Sequence, residues 1–205
     1  MPGRFFLTTP LPEIAAMLSV PAGDLSAEPP RANVAPGQQI VTFGPAGLKH
    51  MRWGIVPVGR VNARGRPVME TLINARSETV FDKSAYAGVG RAVVPANGWY
   101  EWTGEKRRKT AWRITSKDGE VLWFAAITDV WRAPGGLEVP QVATVTCAPS
   151  ADVVDIHHRM GVLLSVTDIP LWLEGSAEAV SPLMKPWPAG TLKIEQATGV
   201  DWEGP

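Results

Sequence analysis

Short apolar runs with two-residue alternation dominate this chain, and they predict strands far more often than helices. "QQIVTFGPAG" and "KHMRWGIVPV" read as two strands split by Gly-Pro. "RAVVPANGWYEW" leads through a basic turn, "TGEKRRKT", to "AWRITS"; the turn "KDG" then precedes "EVLWFAAITDVW". Asp-Gly between two β-prone runs predicts that these last two form a hairpin. "QVATVTCA" and "TLKIEQAT" complete the set, and "GVLLSV" follows a short helix expected in "SADVVDIHHRM".

Helical spacing appears in only a few places. In "TTPLPEIAAMLSV", Leu11, Ile14, Ala15 and Leu18 share a face, Thr9 is placed to cap, Pro12 sits in the first turn and Pro21 ends the run. "SETVFDKSAYAGV" reads as a helix capped by Ser77, and "TDIPLWLEGS" and "AEAVSPLMKP" as short helices. The Pro- and Gly-rich "AGDLSAEPPRANVAPGQQ" reads as loop, and the polar "GRVNARGRPVME" as an exposed one. No repeat, low-complexity tract or linker interrupts the pattern. The expectation is a single α+β domain over residues 1–205, mixed but β-dominated.

Composition narrows the function. With 205 residues and 45% of them hydrophobic, the chain can bury a sizeable core. Lys plus Arg and Asp plus Glu are both 20, so any polyanion must be held by a local cluster and not by a global field. The single cysteine, Cys147, rules out an internal disulfide and suits a reducing cytoplasm; in "TVTCAPS" it reads as a buried strand residue. No apolar run is long enough for a membrane span, and the broken apolar start does not make a signal peptide.

Four patches mix polar residues with Gly or Pro beyond what a core needs. In "INARSE", an extended backbone would turn Asn74 and Arg76 to one side, giving either a phosphate or sugar site or a solvated helix start. In "GWYEW", Glu101 lies between Tyr100 and Trp102; a carboxylate boxed by aromatics would be desolvated, raising its pKa toward a proton-transfer role, unless it faces solvent on an edge strand. "IHHRM" holds two of the chain's three histidines, at no metal-ligand spacing, so His157 is either catalytic or an ordinary polar residue at a strand start. Arg159 beside it could pair with a phosphate. The fourth patch is "PGRF". Pro2 is small enough to allow removal of Met1, which would leave a secondary amine as the terminus.

Together and in order, "GRF", "PPRANVAP", "RWGIVP", "INARSET", "RAVVPANGWYEW" and "IHHRMGVLL" resemble the SOS-response-associated peptidase (SRAP) family, from residue 2 to about residue 173. The resemblance implies a strongly bent, mostly antiparallel β-sheet forming a pseudo-barrel with short peripheral helices. It implies a monomer that binds abasic sites in single-stranded DNA, with no metal or cofactor. Asn74, Glu101 and His157 match the family's active-site positions. Arg4, Arg76 and Arg159 match positions that hold DNA phosphates, and Trp53 matches a tryptophan near the DNA path. Val58-Gly59 stands where the family often has a further tryptophan.

One departure matters most. The family carries, at the position of Pro2, a cysteine whose amine and thiol close on the ring-opened sugar as a thiazolidine. Pro2 has no thiol, and Cys147 lies in a strand that carries no nucleophile in the family. A terminal proline could still form a Schiff base as an iminium, which invites elimination of the 3′ phosphate. The sequence therefore leaves open an abasic-site lyase with a transient bond, a non-covalent single-stranded DNA-binding module, and a peptidase acting on its own amino terminus.

Overall fold

The computed structural model describes residues 2–56, 71–82, 86, 88–105, 108–132 and 135–204. The expected loop over 59–70 and Val58-Gly59 lie outside the described residues, as do parts of the basic turn and of the expected helix after Ser77.

Strands dominate. They are β1 (Arg4–Leu7), β2 (Arg31–Val34), β3 (Gln39–Gly44), β4 (Gly47–Trp53), β5 (Asn74–Arg76), β6 (Gly90–Ala96), β7 (Gly98–Thr103), β8 (Thr110–Ser116), β9 (Leu122–Arg132), β10 (Glu138–Cys147), β11 (Met160–Gly161), β12 (Leu163–Leu164) and β13 (Leu192–Gln196). The α-helices are short: α1 (Leu11–Met17), α2 (Ile169–Glu174) and α3 (Ala177–Val180).

One sheet runs β13-β8-β7-β1-β2, antiparallel throughout. The other runs β11-β10-β4-β3-β6-β9-β12, and β10 also pairs with β9, so the strands come round into a ring. Its seams are narrow, with one register pair between β3 and β6 and two between β10 and β4, which makes it a pseudo-barrel and not a regular closed barrel. Most pairs are antiparallel; β10 runs parallel to β4 and to β5.

The two sheets meet through aromatics. Phe5 of β1 lies 4.5 Å from Trp53 and 4.8 Å from Phe124, and Trp99 of β7 meets Phe124 edge-on at 5.5 Å. Leu122 to Ile127 of β9 are all buried, as expected of a strand covered on both faces.

Several sequence expectations need correcting. The "KDG" turn forms, with Gly119 at φ 75° and its N–H donating to the Ser116 carbonyl, but β8 and β9 do not pair. β8 joins β7 and β13, whereas β9 joins β6, β10 and β12, because an apolar run buried on both faces belongs inside the ring. The turn is therefore a passage between sheets. Thr9 does not cap α1. Its hydroxyl accepts from Asn97, and Pro10 takes the cap position. Within the expected loop, Arg31–Val34 forms β2 and pairs with β1, while Gly23–Ala27 is a 3-10 turn. After β5, the described residues 77–82 form turns and no helix. The Ser77 N–H continues the β5 ladder to the Thr146 carbonyl. Residues 151–156 are likewise turns and not a helix.

Candidate active site

The pairing of β1 with β7 brings the start of the chain to Glu101. Arg4 lies opposite Tyr100 and Phe5 opposite Trp99, and the same register continued one residue sets Gly3 against Glu101. Side chains on a strand alternate between faces. Trp99 and Glu101 therefore face inward, while Tyr100 and Trp102 face outward and pack on Trp202 at 5.0 and 5.3 Å. So the aromatic box expected from Tyr100 and Trp102 does not exist; the aromatic sharing the Glu101 face is Trp99. The electrostatic consequence still holds. Glu101 is only 4% exposed, and burial raises its pKa to about 7, opposed by the positive charge of the amino terminus and by the Trp99 indole.

Asn74 meets the terminus from the other sheet. Its Nδ2 donates to the Pro2 carbonyl at 3.0 Å. The parallel register of β5 on β10 sets Asn74 opposite Thr144, whose hydroxyl donates to Asn74 Oδ1 at 2.5 Å. That bond fixes which end of the amide faces Pro2. Pro2 is buried, and its ring rests against Gly161: a Cβ at 161 would sit 3.5 Å from Pro2 Cγ and only 2.4 Å from the Phe124 ring. Only glycine lets the proline, the Phe124 ring and β11 come this close.

His157 stands in the turn just before β11, half-buried and stacked on His158 with ring centroids 4.4 Å apart. Arg159 donates its backbone N–H to His157 Nδ1 at 3.0 Å. Burial, then the charges of the amino terminus and of His158, hold the imidazole down to about 4, so it is neutral at pH 7. The Arg159 carbonyl oxygen lies as near Nδ1, at 3.1 Å, so this backbone accommodates either tautomer.

The remaining candidates are placed differently. Trp53 is fully buried, with its Nε1 donating to the Ile73 carbonyl at 3.0 Å and its ring on Phe5, so it has no face to offer a base. In this fold Trp53 is a core residue. Arg4 points to the outer face of β1, where it donates to Asn33 at 2.8 Å and to the Trp202 carbonyl at 3.3 Å. Arg159 forks onto Glu78 at 2.5 and 2.9 Å and onto the Thr146 carbonyl at 2.6 Å. Arg76 is exposed at the end of β5. Cys147 is buried at the end of β10, and burial pushes its thiol up to about 11, which leaves it inert.

The sequence reading missed Thr144, Gly161 and Glu78. A signal for Thr144 exists in "QVATVTC": polar residues recur on a strand otherwise apolar on both faces, and such residues need an internal partner. Gly161 and Glu78 carry no such local mark, since their roles come from contacts across the fold.

The fold is a pseudo-barrel in which Asn74 holds the Pro2 carbonyl across the two sheets. The chain belongs to the SOS response associated peptidase (SRAP) family, whose model matches residues 1–199. It is 28% identical over 215 residues to the abasic site processing protein YoqW of Bacillus subtilis, covering 98% of this chain and 93% of that protein. To the abasic site processing protein YedK of Escherichia coli it is 31% identical over 150 residues, covering 70% of this chain and 64% of that one. A crystal structure of a protein from Bacteroides thetaiotaomicron shares the fold with a TM-score of 0.82, at 21% identity, covering 96% of this chain and 92% of that one.

Proposed function

We propose that this protein binds abasic sites in single-stranded DNA and reacts with them transiently through the imino nitrogen of Pro2. The observation that carries the reading is the seat of Pro2: it is buried, its carbonyl is held by Asn74, and the β1–β7 register runs its neighbour Gly3 alongside Glu101. The relatives named as abasic site processing proteins supply the substrate class.

Removal of Met1 frees the Pro2 nitrogen as a secondary amine. Its lone pair attacks C1′ of the ring-opened sugar and the aldehyde oxygen takes up a proton. The resulting carbinolamine loses water, with Glu101 giving the proton that leaves with the hydroxyl, and an iminium cation remains. A carboxyl group titrating near neutrality can give and retake that proton. His157 would assist opening of the sugar ring, and Asn74 fixes the proline's carbonyl. The cationic nitrogen acidifies C2′; loss of that proton and departure of the 3′ phosphate would cut the strand, and water then returns Pro2 and the aldehyde. With no thiol on Pro2, no thiazolidine can close, so the adduct reverses or proceeds to cleavage. Arg76, exposed beside Asn74, is the cation best placed for a strand phosphate. The reading takes the protein to act as a monomer in the cytoplasm, and residues 1–205 as one domain.

Borohydride trapping on an abasic oligonucleotide tests the covalent step, with intact mass recording whether Met1 is gone. The expected product is a reduced protein–DNA adduct mapping to Pro2, with strand cleavage when borohydride is omitted. Processed protein that gives no adduct ends the covalent reading. Tight non-covalent binding without any adduct would favour the binding module.

A further inference from the structure

We propose that Trp99 is a positioning residue for Glu101: its indole N–H is the donor that receives the Glu101 carboxylate once the acid has given up its proton. The inference rests on the reading above for what Glu101 does. The relation between the two side chains stands apart from it.

Trp99 and Glu101 are two residues apart on β7, so both side chains leave the strand on its inward face. Trp99 is fully buried. Its ring meets Phe124 edge-on, with centroids 5.5 Å apart and planes at 89°, and Phe124 packs in turn on Phe5 at 4.8 Å. Inside this packing the indole nitrogen is buried and closes no hydrogen bond with the described residues. A buried donor left without a partner costs stability, and a phenylalanine would meet Phe124 in the same way without that cost. Packing therefore does not account for the N–H. A leftover buried donor calls for a partner that appears in another state of the site.

Glu101 supplies that partner. The indole pulls the pKa of Glu101 down, against the burial that pushes it to about 7, so the N–H acts on the carboxyl without closing a bond to it. An ionised carboxyl only accepts, and its hydrogen bonds are roughly twice as strong as neutral ones. The charge that acts on Glu101 from elsewhere is that of the amino terminus, and the residue opposite it on β8 is the uncharged Trp112. When Glu101 hands its proton to the departing hydroxyl, water leaves and the negative charge stays on the carboxyl oxygens. The Trp99 N–H then closes onto them, and the bond loosens when the proton returns. Trp99 thus limits how far burial raises the acid. It does so from a ring already fixed by the core, which needs no rearrangement at the moment of reaction.

Nitrogen-15 NMR of the Trp99 indole in the full-length protein, followed from about pH 5 to 9 without DNA, reads the contact directly. The indole resonance is expected to move with a midpoint near 7 as Glu101 ionises, and to stay still in Glu101→Gln. A resonance that stays still in the wild-type protein overturns the proposal. Trp99→Phe keeps a ring on Phe124 and removes the donor. The Glu101 titration, read by carbon-13 NMR, should then move up by about one unit. The limb on which trapping of abasic DNA falls with rising pH should move with it, and trapping on the acid side of that limb should fall on the order of tenfold. Both proteins are compared with the same amino terminus, confirmed by intact mass, because its charge acts on the same carboxyl. A Trp99→Phe protein that is only less stable, with its Glu101 titration unmoved, would also overturn the proposal. If that variant does not fold, the indole titrations of the wild-type and Glu101→Gln proteins decide alone. If the wild-type protein traps nothing, the functional reading fails while the titrations still decide the pair.

Discussion

Asn74 holds the Pro2 carbonyl at 3.0 Å, and Thr144 holds Asn74 at 2.5 Å, so a buried hydroxyl on β10 determines where the terminus of the chain rests. Thr144→Val keeps the shape and removes the hydroxyl. The Asn74 Oδ1 then loses its donor inside the protein, at a cost of about 1–3 kcal/mol. Urea denaturation should show that loss. Trapping on abasic DNA should fall further than stability alone explains, because the amide is then free to flip.

The acid and the imidazole pull stability in opposite directions with pH. The pKa of Glu101 is raised to about 7 in the folded state from 4.5, so the native protein binds the extra proton between those values. Stability from this group is full below pH 4.5 and is lost as pH climbs through 7, a difference of about 3 kcal/mol. His157 is lowered to about 4 from 6.5, so its contribution is present above pH 6.5 and lost as pH falls through 4. Between about pH 4.5 and 6.5 the two slopes oppose each other. Glu101→Gln should expose the histidine slope, with stability rising as pH rises, and His157→Gln the reverse. Chemical denaturation across that range reads both. A flat profile in either variant would mean that the group left behind is not shifted.

Much of this architecture is legible in the sequence, and the failures have identifiable causes. Strands β3, β4 and β6 to β10 are visible as β-prone runs, β5 is not, and the burial of Cys147 follows from its place in one of them. The raised carboxyl of Glu101 follows from the aromatics around it in "GWYEW", of which Trp99 shares its face, while alternation sends Tyr100 and Trp102 outward. Asp-Gly correctly marked a turn, but turn chemistry does not say which sheet the next strand will join. Thr9 has the residue type of a cap, yet a long-range partner, Asn97, took its hydroxyl. The resemblance to a family supplied the site residues, whereas the internal partners of Trp53, Arg4 and Arg159 are set by contacts across the fold that no local pattern shows.

Trp53 and Arg76 should behave in contrasting ways. Trp53→Phe removes a buried hydrogen bond and some core volume, so stability should drop by about 2 kcal/mol. Affinity per folded molecule for single-stranded DNA should not change. Arg76→Ala should leave the melting curve near wild type. It should weaken binding at every sequence and reduce the slope of log affinity against log salt by about 0.7. Fluorescence anisotropy over a range of salt, paired with thermal melts, distinguishes the two. Loss of affinity in Trp53→Phe without loss of stability would return that residue to the binding surface.

Gly161 joins the packing of the core to the chemistry of the terminus. A methyl group there would meet the Phe124 ring at 2.4 Å, and Phe124 cannot simply retreat, since Phe5 and Trp99 pack on it at 4.8 and 5.5 Å. Gly161→Ala should therefore cost about 1–3 kcal/mol as an overpacked core. The strand must shift to relieve the clash, and Pro2 lies on the same side, its Cγ 3.5 Å from the new carbon. Displacing the proline should separate its nitrogen from Glu101, and adduct formation should fall by more than tenfold even at temperatures where the variant is fully folded. Phe124→Leu in the Gly161→Ala background gives the methyl room. Restored melting with restored trapping would show that the glycine acts through this one contact. Restored melting without trapping would mean that Pro2 needs the glycine directly.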